Sequence, residues 1–303
     1  LKKTPKTIIK AGISALLLSV TGFSAFAQKL NTVQEASVWA PANVKVDAKL
    51  TEWNDTFQAF NKTTNVFYTV SNDDNNLYLV MKSTDQSTNN KIVGGGINLT
   101  INTAGKKNEK DAFILTFPVV NMANLRSTMM QGMSMRAPGG GGQPQTPDSA
   151  AIADMRKKAV STFKEVKLVG FKDIPDSVIS IYNEYGIKAF VDFDSKGALI
   201  IEMAVPLKAM HLDAGSAFAY NIKLNGINLN ALMPGMNHMV MSGMGGGGAS
   251  FSGGGGGGGM ATTVVVSGGG MGGGGGMPRS MGDIANMLSP TDFWGKYTVS
   301  KKQ

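Results

Sequence analysis

Short runs of alternating apolar and polar residues, each closed by turn-forming residues, recur along this chain and leave few folds open to it. Val66 to Val70 and Leu77 to Met81 flank the polar turn Ser71 to Asn76 and read as a hairpin. Further strands are expected at Gly96–Asn102, Ala112–Phe117, Ile187–Phe193, Ala198–Val205, Ala217–Ile227 and Lys296–Val299, with Asp194-Ser-Lys-Gly197 as a turn. Period-two alternation buries one face of each strand, so the strands must stack face to face around a shared core. One segment has helical spacing instead. Asp148 or Ser149 caps a helix over Ala150–Lys164, with Ile152, Met155, Ala159 and Phe163 near one face. The expected class is therefore all-β: an antiparallel β-sandwich, jelly-roll or immunoglobulin-like, with one helical decoration.

Two stretches depart from this pattern. Residues 122–147, with Met129, Met130, Met133, Met135 and the run Gly139–Gly142, and residues 233–282, with long glycine runs broken by Met, are of low complexity. Ordering glycine costs backbone entropy and returns no buried side chain, so both read as Gly/Met-rich insertions between strands. Ala261 to Val266, inside the second, offers a short strand that would return to the sheet or pair with another chain.

Residues 1–27 stand outside the fold. Lys2, Lys3, Lys6 and Lys10 precede the apolar run Ile13 to Phe26, which ends in the small-residue pattern Ala25-Phe26-Ala27; this is the layout of a secretory signal peptide cut before Gln28. The run falls short of the roughly 20 apolar residues a membrane span needs, so no transmembrane segment is expected after cleavage. Without the leader, 25 basic residues face 21 acids and the formal charge is +4 rather than +8. The basic residues form no stripe interleaved with aromatics, which argues against nucleic acid as a partner. The chain has no cysteine. Disulfides and thiolate metal sites are excluded, and an exported chain must then hold together by its core. Residues 28–303 suffice for one such domain.

Five segments, in order, carry a family signature: Val46-Asp-Ala-Lys-Leu-Thr-Glu-Trp53, Asn76-Leu-Tyr-Leu-Val-Met-Lys-Ser-Thr-Asp85, Ala198-Leu-Ile-Ile-Glu-Met-Ala-Val-Pro-Leu-Lys-Ala-Met210, Phe218-Ala-Tyr-Asn-Ile-Lys-Leu-Asn225 and Asp292-Phe-Trp-Gly-Lys-Tyr297. In that order the chain resembles the family 9 carbohydrate-binding modules and the wider DOMON-like β-sandwiches. The resemblance implies a non-catalytic sugar-binding fold in which Trp53, Trp294, Glu202 and Asp47 occupy framework positions. In sugar-binding members two Trp clamp the ligand, one before the central strand and one in the loop before the last strand. Here Gly94–Gly96 stand at the first place, with Asn98 the nearest polar substitute, and the Met/Gly-rich insertion stands at the second without a Trp.

Sugar sites combine an aromatic face with amide or carboxylate groups. The residues that offer themselves for glycan contact are Trp39, Tyr68, Tyr78 and Asn98. A second chemistry lies in Met233, Met236, His238, Met239, Met241 and Met244, since thioether and imidazole ligands suit Cu(I). The run resembles the Met/His-rich repeats of periplasmic copper-handling proteins. Haem is a third reading, because some DOMON-like members bind it through Met with His or Lys, and His211 or His238 would serve. The glycine runs lack the strand-to-helix context and Lys-Ser/Thr ending of a phosphate loop. With two histidines and no paired acids at a defined spacing, no catalytic set is recognisable.

The sequence thus predicts an exported, periplasmic or cell-surface binding module, not an enzyme, with glycan or another cell-envelope component as partner and no obligatory cofactor. The alternatives are a periplasmic Cu(I)-binding protein and a structural, self-associating envelope protein.

Overall fold

A computed structural model describes residues 30–121, 123, 149–228 and 281–302. Its strands are β1 (Ala59–Asn61), β2 (Val66–Asn72), β3 (Asn76–Ser83), β4 (Ile97–Asn102), β5 (Phe113–Phe117), β6 (Glu165–Val169), β7 (Val178–Ser180), β8 (Lys188–Phe193), β9 (Leu199–Pro206), β10 (Ala217–Leu224) and β11 (Thr291–Thr298). Among the described residues three α-helices accompany them, α1 (Gln86–Gly95), α2 (Ser149–Ser161) and α3 (Met281–Leu288), with one 3-10 turn at Leu207–Met210. The strands form two sheets, ordered β1-β2-β3-β9-β8 and β11-β10-β4-β5-β6-β7, and every strand pair within them is antiparallel. The chain is an all-β sandwich.

The inward positions alternate as the pleat demands. Leu77, Leu79 and Met81 on β3 and Ile201, Met203 and Val205 on β9 belong to the same buried cluster as Ile97, Leu99 and Ile101 on β4 and Phe218, Tyr220 and Ile222 on β10. Gly295 on β11 faces this cluster beside the fully buried Tyr220, and a Cβ there would collide with the phenol ring. Glycine is therefore a packing requirement at this position.

A second cluster seals the other face of the five-stranded sheet. Trp53, Phe57 and Ala40, from the segment before β1, pack on Tyr78, Val80 and Ala204. Sequence alternation alone leaves that face open; the N-terminal strap closes it.

The hairpin 66–81 and the strands near 97, 113, 188, 199 and 217 lie where the pattern predicts them. β11 begins at Thr291, five residues before the expected Lys296. The α2 helix stops at Ser161 rather than Lys164, because the hydroxyls of Ser161 and Thr162 turn back to the carbonyls of Lys158 and Ala159. Glu165–Val169 then alternates exposed and buried as a strand of its own.

The α1 helix has no counterpart in the periodicity reading. Its sequence is polar and ends in glycines, so propensity gives little sign of it. Asp85 starts it by accepting from the Thr88 N–H at 2.7 Å, and Gly96, with φ 72°, ends it. A Cβ on Gly96 would strike the Pro118 carbonyl, so glycine here serves both the turn and the close passage of β5. The insertions expected at 122–147 and 233–282 lie outside the described residues except for Ala123, Met281 and Gly282, as do the leader expected at 1–27 and the strand expected at 261–266.

Candidate functional site

The outward face of the six-stranded sheet gathers polar side chains around one aromatic ring. Because β11, β10, β4, β5 and β6 are in register, Asp292, Lys223, Asn98, Thr116 and Lys167 form one row across the sheet. Trp294, Asn221, Thr100, Ile114 and Val169 form the next. Trp294 is half-buried on the edge strand, and its neighbours Phe293 and Gly295 point the other way.

The polar groups are braced by one another. The Asn98 Oδ1 accepts from the Thr116 hydroxyl and from the Asn225 amide, both at 2.9 Å. The Asn221 Nδ2 donates to the Asp292 carboxylate at 2.7 Å and to the Phe293 carbonyl at 2.9 Å. The β4–β5 loop folds back at one end of this face, where the amide of Asn102 donates to the carbonyls of Asn108 and Lys110. From that loop Glu109 approaches Lys223 at 3.9 Å. In the middle of the second row Thr100 and Asn221 are buried, and the Thr100 hydroxyl has no partner among the described residues. The arrangement offers a ring for an apolar ligand face, with fixed amide, hydroxyl, carboxylate and ammonium groups on adjoining strands.

Of the residues singled out from sequence, Asn98 lies on this face. Trp39 does not: it is half-buried and bridges to Asn72, at the opposite end of the sandwich from α1 and Asn98. Tyr68 and Tyr78 are corrected by the structure. Tyr68 faces the core with no exposed surface; its hydroxyl accepts from the Gln34 N–H at 2.8 Å and meets the Tyr220 hydroxyl at 3.1 Å. Burial raises the pKa of both phenols. Tyr78 is buried beneath the N-terminal strap with its ring against Trp53, and its hydroxyl donates to Asp73 at 2.7 Å. Burial, reinforced by that carboxylate, pushes its pKa to about 12. The inward face of the sheet takes Tyr68 and the strap covers Tyr78, so neither ring is open to a ligand.

Trp294 is what the sequence reading passed over, assigning it to the framework. The alternation Phe293, Gly295, Tyr297 on the inward side is the signal that turns it outward. Trp53 does serve the framework. Its indole N–H donates at 2.8 Å to Glu202, whose other oxygen accepts from the Asp47 and Ala48 N–H groups, each at 2.8 Å. Desolvation dominates over these donors and lifts the Glu202 pKa to about 7.

The methionines from 233 to 244 and His238 lie outside the described residues. His211 is exposed in a left-handed turn, with its ring 6.2 Å from that of Phe113. No group of three His, Cys, Asp or Glu among the described residues is placed to hold a metal. No helix among them is long and apolar enough to cross a membrane.

No protein-family model matches the chain, and no curated protein does. Among solved structures the chain is similar to a family 9 carbohydrate-binding module from Caldicellulosiruptor kristjanssonii, in complex with glucose. The identity is 10%, the match covers 65% of this chain and 80% of that one, and the TM-score is 0.29.

Proposed function

We propose that this protein is an exported, non-catalytic binding module that takes a neutral glycan on the outward face of its six-stranded sheet. The observation that carries the reading is the common face shared by the Trp294 ring, the exposed Asp292 carboxylate, which the buried Asn221 amide orients, and the half-buried Asn98–Thr116–Asn225 cluster. Stacking on an indole takes up the C–H face of a pyranose, and braced amides and carboxylates hold its hydroxyls without losing much side-chain freedom on binding. The order of strand motifs shared with family 9 carbohydrate-binding modules points the same way, and the leader at residues 1–27 supports export.

This face differs from a two-Trp clamp. A single half-buried ring beside braced polar groups favours contact along a chain of sugars over enclosure of one sugar. Native gels containing soluble neutral β-glucan or xylan test the reading. Retardation of the full chain is expected, with Trp294→Ala weakening it about tenfold, the scale of the ~1–3 kcal/mol that a nucleobase gains by stacking on an aromatic side chain. Retardation by neither polysaccharide, or retardation that Trp294→Ala leaves intact, would refute it.

A further inference from the structure

We infer that the cleft between α2 and β8 is a second binding site, one that takes a uronic acid residue of an acidic glycan. The cleft measures about 210 Å³, the size of a single ring. Its wall is pinned in place: the Arg156 guanidinium of α2 lies 5.1 Å from the centre of the Phe193 ring and packs where Gly197 carries no side chain.

The floor is apolar, made by the buried Phe163 with the half-buried Val160 and Phe190. The rim is charged. Lys157 and Lys164 are exposed, and neither forms an ion pair with an acid among the described residues. Asp192 also lines the cleft; one of its oxygens accepts from the Phe193 N–H at 2.7 Å, and no donor among the described residues meets the other. The Ser161 hydroxyl donates to the Lys158 carbonyl and keeps its acceptor lone pairs.

These groups specify a ligand. Two ammoniums without an ion-pair partner outnumber the one carboxylate of the cleft and call for an anion, and ring-faced apolar ground calls for a flat C–H surface. Asp192 and Ser161 call for hydroxyl donors. An aromatic carboxylate meets the first two demands and leaves the Asp192 oxygen against an apolar ring, which costs affinity. A pyranose carrying a carboxylate meets all three. Beside the cleft, Tyr182 is 75% exposed with the Lys164 ammonium 5.8 Å from its ring centre, a platform for the next sugar of a chain.

The test uses the full chain in native gels containing polygalacturonate, with calorimetric titration of trigalacturonate and of benzoate. Polygalacturonate should retard the protein, and added salt should weaken the effect. The double variant Lys157→Ala/Lys164→Ala should bind trigalacturonate at least tenfold more weakly, whereas Lys45→Ala/Lys49→Ala, which removes the same charge from the strap, should bind as the parent does. All four lysines are exposed, so unchanged melting temperatures verify folding. Phe190→Ala should weaken binding at constant charge. Absence of retardation, equal effects of the two lysine pairs, or benzoate binding as tight as trigalacturonate would each overturn the assignment. Neutral glucan is scored in its own gel, so this site and the Trp294 face stand or fall separately.

Discussion

Glu202 is 2% exposed yet carries a carboxyl group, which ties the stability of the fold to pH. It sits on β9 under the strap, bonded by the Asp47 and Ala48 N–H groups and the Trp53 indole. Burial raises its pKa from 4.5 to about 7 against the pull of those three donors, with the nearby Asp47 charge adding to the rise. The folded protein thus holds this proton more tightly than the unfolded chain does. The stabilisation is complete below pH 4.5 and is lost as pH climbs through 7. At 1.36 kcal/mol per pH unit the whole effect is on the order of 3 kcal/mol, of which about 2.5 kcal/mol disappears between pH 5 and pH 8.

Glu202→Gln removes the titration. It also turns an amide NH₂ toward an N–H donor, a penalty of about 1–3 kcal/mol that does not depend on pH. Urea denaturation of parent and variant at pH 5, 6.5 and 8 isolates the carboxyl, because every other titrating group is common to both. The parent should lose about 2.5 kcal/mol relative to the variant across that range. Parallel curves would refute the reasoning: they would mean that the carboxylate is already ionised in the folded protein at pH 5 and that its donors outweigh desolvation.

Two further substitutions probe the core and the contact between α1 and β11. Gly295→Ala drives a methyl into the Tyr220 ring and should cost about 1–3 kcal/mol, lowering Tm by several degrees in a thermal melt. Lys91, on α1, is 4% exposed and donates to the Thr291 hydroxyl at 2.9 Å, and burial lowers its pKa. Its folded-state proton is held more weakly than the unfolded one, so the parent gains stability as pH rises toward 10.5. Lys91→Met should abolish that alkaline gain and leave stability near pH 7 equal or higher, as read by urea denaturation at pH 7 and pH 10.

The candidate site couples fold to recognition through register. Asn98, Lys223 and Asp292 come from three strands, and they share a row because β4–β10–β11 pair without a bulge. A slip of one residue at β11 would turn Trp294 inward and Phe293 outward. Gly295, which only fits beside Tyr220, opposes such a slip and so holds the indole on the outer face.

Local chemistry in the chain was enough to determine the all-β class, the hairpin at 66–81 and most of the strands, because period-two alternation is written residue by residue. It also marked the place of the α2 helix. Three things needed the tertiary structure. The α1 helix is polar and glycine-ended, and it forms where Asp85 caps it and Gly96 fits beneath Pro118. The strap from residue 30 to Phe57 has no strand pattern, yet by covering one sheet it buries Tyr78 and Glu202, which alternation alone leaves on a surface. Strand order across the sheets decided which outward residues became neighbours, placing Trp294 near Asn98 although 196 positions separate them in the chain. Alternation specifies which face a side chain takes; only the pairing of distant strands specifies what stands beside it.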